Sequence, residues 1–260
     1  MDILNFNLVQ FQVFLLILAR MSGLFTSAPL LGTQSIPVQI KVAGSLFLSM
    51  LLFPIIEKGG VAIAGSTFDF YGVLAKEFIF GLITGFAASF VFYGIQMAGE
   101  LISRQMGLDM GGMFDPFFES DSSAVKQVLV IFASLLFLVA NCHHWLIKAF
   151  AYSYELVPLA RVNFNPLFMN NMIAMSSAIF VAAVKICAPV CVVLFVKTIA
   201  LGIVEKFIPQ MHIFAVGYSL QMIVGFAAMA LFVPVFVIVF QKVFLDFNSS
   251  LVLLLRSLKG

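Results

Sequence analysis

Charged residues are scarce in this chain: only 14 of its 260 residues are lysine or arginine and only 12 are aspartate or glutamate. Together they make up 10% of the sequence, against about a quarter in ordinary soluble domains. The formal net charge of +2 is spread along the chain, which disfavours a basic surface for nucleic acid or for anionic lipid headgroups. The composition is therefore wrong for a water-soluble domain and for a nucleic-acid-binding protein.

Cysteines and catalytic motifs are equally sparse. The three cysteines, Cys142, Cys187 and Cys191, lie in apolar sequence without the spacing of a disulfide framework or a zinc site. The chain has no HExxH motif, Walker loop, nucleophile elbow or GxGxxG motif. We therefore expect no enzyme and no cofactor, and an intramembrane hydrolase would require distant serines and histidines to meet in space.

Apolar residues, by contrast, are abundant. They make up 62% of the chain, and the mean hydropathy is +1.12. Because about 20 apolar residues in a helix cross a hydrocarbon core of ~30 Å, the sequence predicts an all-α integral membrane protein with six or seven helices. The apolar stretches cover roughly residues 6–31, 36–56, 70–99, 124–154, 172–204 and 211–255.

Prolines and glycines divide these stretches. Hairpin tips are predicted at Pro29 to Pro37, at Pro54, at Pro116, at Pro158 to Pro166 and at Pro209. Pro189 and Pro234 lie inside apolar stretches, where each removes a helical hydrogen bond and favours a kink. The longer stretches must tilt, bend or extend beyond the bilayer.

Several charges interrupt or flank the apolar stretches. Each would cost about 2.5–3.5 kcal/mol near the centre of a bilayer. The set therefore predicts pairing, a watery cavity or packing inside a larger assembly, although a single lysine could also extend its side chain to the membrane surface. The residues are Arg20, Lys41, Lys76, Glu77, Lys126, Lys148, Lys185 and Lys197.

Small residues form a stripe in the third stretch. Gly81 and Gly85 make a GxxxG motif that lets another backbone approach, either within the chain or from another subunit. Glu100 and Arg104 follow at the i,i+4 spacing of a helical ion pair. Further on, His143 and His144 are neighbours that point about 100° apart on a helix, which disfavours a shared metal site.

The connection after Arg104 has an unusual composition. Residues 104–123 read RQMGLDMGGMFDPFFESDSS, with glycines that permit tight or left-handed turns, methionines that fill irregular gaps, and acids among phenylalanines. We expect the chain to leave the helix there. The mixture suits a flexible segment lodged in an aqueous or protein-lined conduit, and an ordinary surface loop is the alternative.

Three groups of residues together resemble one family, the flagellar export-gate subunit FliR and its counterparts in virulence type III secretion. The first is Arg20-x-x-Gly-Leu-Phe25 with Ala28-Pro29, Gly32, Pro37 and Lys41. The second is Glu100 to Gly107 with Asp115-Pro116 and Asn141-x-His143-x-Trp145. The third is Ala200-Leu-Gly202 with Pro209-Gln210, Phe214, Gly217 and Leu220.

The resemblance implies a subunit of a helical export gate in the bacterial inner membrane, at the flagellar basal body. It implies assembly with FliP and FliQ subunits, contact with FlhB, proximity to FlhA, and passage of unfolded protein substrates. The whole chain, 1–260, would be one subunit with a FliP-like part, 1–170, and a FliQ-like helical hairpin, 171–260.

In such a gate, residues 105–123 would plug the pore, with methionines and phenylalanines as the seal. The plug residues would be Met106, Gly107, Met110, Gly111, Gly112, Met113, Phe114, Asp115, Pro116, Phe117 and Phe118. Residues for packing and assembly would be Arg20, Pro29, Pro37, Lys41, Gly81, Gly85, Glu100, Arg104, Asn141, His143, Trp145, Lys185, Lys197, Pro209, Gln210, Phe214 and Gly217.

Two rival functions remain open from the sequence besides the intramembrane hydrolase. One is a virulence injectisome homologue of the same gate. The other is a six-helix transporter of a small solute, in which Lys76, Glu77, Lys185 and Lys197 would be internal ionisable groups.

Overall fold

A computed structural model describes residues 8–33, 36–56, 67–108, 123–162, 165–207 and 213–257. These ranges contain seven α-helices and no β-strand, as the all-α prediction requires. The helices are α1 (Leu8–Ser27), α2 (Val38–Leu52), α3 (Thr67–Met106), α4 (Ala124–Val139), α5 (Cys142–Leu156), α6 (Pro166–Phe207) and α7 (Ile213–Arg256).

Four of these helices, α1, α3, α6 and α7, are long and apolar enough to cross a membrane. The helices α4 and α5 meet at a bend of 70° and make a fifth candidate if they count as one broken span. The helices α3, α6 and α7 have 40, 42 and 44 residues. At 1.5 Å per residue each is roughly 60–66 Å long, about twice the hydrocarbon core, so each must extend beyond it or cross it obliquely.

Local chemistry sets several helix ends. Pro37 precedes α2 with a φ of −55°, which suits the entry to a helix. The Ser123 hydroxyl accepts a hydrogen bond from the Lys126 backbone N–H and caps α4. Asn141 has a φ of 54°, and this left-handed residue divides the apolar stretch 124–154 into α4 and α5. The helices α6 and α7 continue through Pro189 and Pro234.

The chain divides into two compact units, which are described separately. The first comprises residues 1–90, 141–176 and 248–260, and the second comprises 91–140 and 177–247. Each of the helices α3, α6 and α7 therefore contributes residues to both units.

Glycines bring α1 against α3 in the first unit. A Cβ added to Gly81 would collide with the Arg20 carbonyl oxygen, and one added to Gly85 would collide with the Ser27 hydroxyl. A Cβ on Gly23 of α1 would collide with the Phe78 carbonyl oxygen in turn. The GxxxG motif of α3 thus serves packing within the chain, which was one of its two predicted uses.

The second unit is built on aromatic contacts and another close approach. Phe137 of α4 lies edge-on to Phe92 and to Phe244, with ring centroids 5.6 and 5.8 Å apart. A Cβ on Gly99 would lie 2.6 Å from the Lys126 Cα, so α3 and α4 pack backbone to backbone. These contacts fix the part of α3 that leads to the unusual connection.

Candidate functional site

The end of α3 is the start of the predicted plug. The helix ends at Met106, and Gly107 follows with a φ of +75°, a conformation that glycine adopts without steric cost. The Gly107 N–H still donates to the Arg104 carbonyl oxygen at 3.0 Å. The prediction that the chain leaves the helix just beyond Arg104 is therefore confirmed.

Three residues of α7 hold this end, and we name Tyr218, Gln221 and Gly225 the α7 clasp. The Gln221 Nε2 donates to the Gln105 carbonyl oxygen, and the Tyr218 hydroxyl donates to the Gly107 carbonyl oxygen at 3.2 Å. Met106 is fully buried, and its side chain lies so close to Gly225 that an added Cβ would be 2.7 Å from it.

Lys197 of α6 completes the cluster through contacts with α7. Its ammonium group donates to the Gln221 Oε1 and to the Gly217 carbonyl oxygen, each at 3.0 Å. Two residues from the predicted assembly set, Lys197 and Gly217, are thus brought together. A polar chain runs from Lys197 through Gln221 to the last turn of α3, all within the second unit.

Glu100 lies six residues before the end of α3. Its carboxylate accepts from the Lys126 ammonium at 2.8 Å, and both side chains are partly exposed. Lys126, predicted to need a partner because it adjoins an apolar stretch, therefore has one. The i,i+4 pair of Glu100 with Arg104 stays a prediction.

A buried ion pair lies in the first unit. The Arg20 Nε donates to the Glu77 Oε2 at 2.6 Å, and both side chains are at most 1% exposed. The Arg20 Nη1 also donates to the Val157 carbonyl oxygen at 3.1 Å. The Glu77 Oε1 accepts from the Ala160 N–H at 2.9 Å, so the pair joins α1 and α3 to the turn that follows α5.

Aromatic rings enclose the Arg20 guanidinium. Its central carbon lies 4.6 Å from the ring centroid of Phe80 and 4.4 Å from that of Tyr154. Such cation–π contacts partly replace the lost hydration of a buried cation. The Arg20 charge is thus stabilised inside the chain, and pairing is the predicted option that the structure adopts.

The remaining predicted residues have local roles. The Lys41 ammonium donates to the Gly32 carbonyl oxygen at 3.0 Å, which ties α2 to the turn before it. Pro29 lies in that turn, where its carbonyl oxygen accepts from the Leu31 N–H. The His143 and His144 rings are in contact, with centroids 4.2 Å apart and planes tilted by 35°, while Trp145 and Lys185 are exposed.

Part of the predicted set lies outside the described residues. It comprises Met110, Gly111, Gly112, Met113, Phe114, Asp115, Pro116, Phe117, Phe118, Pro209 and Gln210. Phe214 lies in α7, and its side chain is likewise outside the description.

Sequence reasoning missed the partners in both clusters. The charge of Arg20 in an apolar helix predicted a partner, but it did not select Glu77 from the other charged residues. Gln221 and Tyr218 went unnoticed because polar residues near a helix start carry no special signal. The only available hint was that Gln221 follows Gly217 at the i,i+4 spacing of one helix face.

The arrangement suits the holding and positioning of helices. Across the described ranges, no three His, Cys, Asp or Glu side chains are grouped to hold a metal ion. The polar contacts of both clusters instead join separate helices. They fix the last turn of α3 in one unit and the packing of α1 on α3 in the other.

Comparison with known proteins identifies the family. Residues 11–247 match the family described as "Bacterial export proteins, family 1". The chain is 32% identical to the flagellar biosynthetic protein FliR of Bacillus subtilis over 238 residues, which cover 90% of this chain and 91% of that protein.

Two further relatives show the breadth of the similarity. FliR of Escherichia coli is 28% identical over 222 residues, covering 84% of this chain and 82% of that protein. The surface presentation of antigens protein SpaR of Shigella flexneri is 26% identical over 238 residues, covering 89% and 90%. With helices that can span a membrane and a match over most of its length, the chain belongs to family 1 of the bacterial export proteins, as a FliR-type membrane protein.

Proposed function

We propose that the chain is a non-enzymatic subunit of the protein export gate in the bacterial inner membrane, at the flagellar basal body. It would assemble with FliP and FliQ subunits, contact FlhB and lie near FlhA, around a channel for unfolded flagellar subunits. The single observation that carries this proposal is the family match over residues 11–247, with relatives named for flagellar biosynthesis.

The outward face of α2 is apolar, as expected for a subunit that contacts lipid or other hydrophobic subunits. Ser45 and Ser49 are buried, whereas Phe47 and Met50 are 64% and 73% exposed. With 15 residues, α2 is about 22 Å long and too short to cross a ~30 Å core by itself. Its apolar face therefore needs lipid or another subunit to cover it.

We also propose the two-part organisation for this subunit, with a FliP-like part over 1–170 and a FliQ-like hairpin over 171–260. The long helices α6 and α7, separated by five residues, are compatible with such a hairpin. The proposed division at residue 170 follows the resemblance of each part to a partner subunit. The two compact units are instead defined by contacts within the chain.

The segment 105–123 is proposed as the pore plug. Residues 105–107, which α7 holds, would anchor the segment, and the rest of it would block the channel at rest and yield to a passing polypeptide, which requires few fixed contacts there. Support comes from its composition and from the left-handed Gly107 that follows the last residue of α3, among residues that α7 holds in place.

The test is to replace residues 109–118 with a Gly/Ser linker of equal length, leaving the contacts of residues 105–107 intact. We expect the assembled complex to form in normal yield and the membrane to leak small ions, measured as a rise in membrane conductance. A linker of the same composition that replaces residues 57–66 is the control. Normal conductance in the 109–118 variant would remove the plug assignment.

The injectisome alternative has one observation in its favour, the similarity to SpaR over 89% of the chain. The identity to the flagellar protein of Bacillus subtilis is higher, 32% against 26%, and we favour the flagellar role on that ground. The small-solute transporter has less support, because Glu77 is engaged by Arg20 and Lys197 by Gln221.

A further inference from the structure

We propose that Gln221 is a positioning residue that, together with Lys197 and Tyr218, holds the last turn of α3 on α7 and so fixes where the segment 109–122 begins. The consequence for the gate rests on the proposed function. The holding contact itself does not, and it can be tested by itself.

The α7 clasp lies on one stripe of its helix. Tyr218, Gln221 and Gly225 follow the i, i+3, i+7 spacing that places side chains on one helical face. That stripe meets three consecutive residues, because Gln105, Met106 and Gly107 each contact a different member of it. Such one-to-one contact holds a short piece of backbone in a defined register.

The carbonyl groups involved are those that a helix leaves without partners. The last four C=O groups of an α-helix have no intrahelical donor, and α3 ends at Met106. Gln221 supplies a donor to the Gln105 oxygen, and Tyr218 supplies one to the Gly107 oxygen just beyond the end. Side chains of α7 therefore cap the C-terminus of α3.

Chemistry fixes the orientation of the Gln221 amide. A lysine ammonium can only donate and a backbone carbonyl can only accept, so the Oε1 must face Lys197 and the Nε2 must face Gln105. A flip of the amide would lose both hydrogen bonds at once. Lys197 thus acts on α3 through Gln221.

Methionine substitutions test this chain of contacts. In the assembled complex, Gln221→Met removes the donor to Gln105, and Lys197→Met frees the amide to rotate. We expect backbone hydrogen exchange of residues 103–107 to become about three- to tenfold faster in both, the effect of losing one modest hydrogen bond. Gln241→Met and Lys242→Met are the matched controls, since both residues are exposed on α7. Exchange in the controls should stay as in the unaltered protein.

Two more conservative substitutions test the same contacts if the methionine variants do not assemble. Gln221→Glu keeps the acceptor for Lys197 but turns an acceptor toward the Gln105 oxygen, so it should speed exchange as Gln221→Met does. Tyr218→Phe removes one hydroxyl and should speed exchange at Gly107. Unaltered exchange in Gln221→Glu would overturn the positioning role, because a merely structural polar residue would tolerate this isosteric change.

Membrane conductance, measured on the same variants, separates this inference from the proposed plug. Faster exchange with a raised conductance supports both. Faster exchange with normal conductance supports the clasp and counts against the plug. Unchanged exchange overturns the clasp at any conductance.

Discussion

At the scale of single residues, the buried ion pair of Arg20 and Glu77 is the feature of the first unit that most needs compensating contacts. Removing two charges from water costs several kcal/mol per ion, and their attraction offsets this only if the remaining polar atoms are also satisfied. The backbone oxygen of Val157 and the N–H of Ala160 supply such partners, whereas the buried Arg20 Nη2 has no hydrogen-bond partner among the described residues and faces the aromatic contacts alone. The pair therefore specifies one arrangement of α1, α3 and the turn after α5.

Breaking this pair should destabilise the protein strongly. Arg20→Met leaves the Glu77 carboxylate buried without its cation, and we expect a loss of about 3–5 kcal/mol in the free energy of unfolding in detergent micelles. Arg161→Met is the control, because Arg161 is exposed and its removal should change stability by no more than about 0.5 kcal/mol. An Arg20→Met protein as stable as the control would refute the structural role of the pair.

The sequence could predict that these charges need partners, but not which partners. Lys76 and Glu77 are neighbours on α3, and only the helical geometry turns Glu77 inward while Lys76 is exposed. In the same way, the glycines around Gly107 predicted the end of α3, whereas the clasp depends on contacts between residues more than 100 positions apart.

At the scale of helices, the close approach of α1 to α3 depends on missing side chains. Gly81 and Gly72 are both on α3, but an added Cβ would strike the Arg20 carbonyl at Gly81 and would meet nothing within 4 Å at Gly72. Alanine substitutions at the two positions therefore separate the effect of helix packing on stability from the effect of helix propensity.

Gly81→Ala should destabilise the protein by about 1–3 kcal/mol, because α1 must move away from α3 and disturb the Arg20 contacts. Gly72→Ala should be neutral or stabilise by up to about 1 kcal/mol, since alanine is the better helix former. Thermal unfolding of the two variants measures the difference. Equal stabilities would show that the helices do not pack as described.

The helices were predictable in number and type but not in every boundary. Apolar length alone indicated a single helix for residues 124–154, and the left-handed Asn141 divides it. The sequence hint was the polar run Asn141-Cys-His-His in an apolar stretch. At Pro189 and Pro234 the sequence predicted kinked helices rather than ends, and α6 and α7 do continue through both prolines.

At the scale of the whole molecule, several buried or partly buried charges have partners inside the chain, while many large apolar side chains are exposed. Arg20, Lys126 and Lys197 each have partners inside the chain, while Phe68, Phe207 and Leu231 are more than 70% exposed. Exposed apolar surface on this scale requires lipid or neighbouring subunits. Composition predicted this arrangement, since 62% hydrophobic residues exceed what a single chain can bury.

Recovery of the full-length chain from its native membrane in mild detergent tests the central claim most directly. Mass spectrometry of the purified particle should find FliP-type and FliQ-type subunits bound to the chain, in a complex several times heavier than its own 28.5 kDa. Recovery of the chain as a monomer surrounded by lipid, with no other export protein bound, would contradict the account.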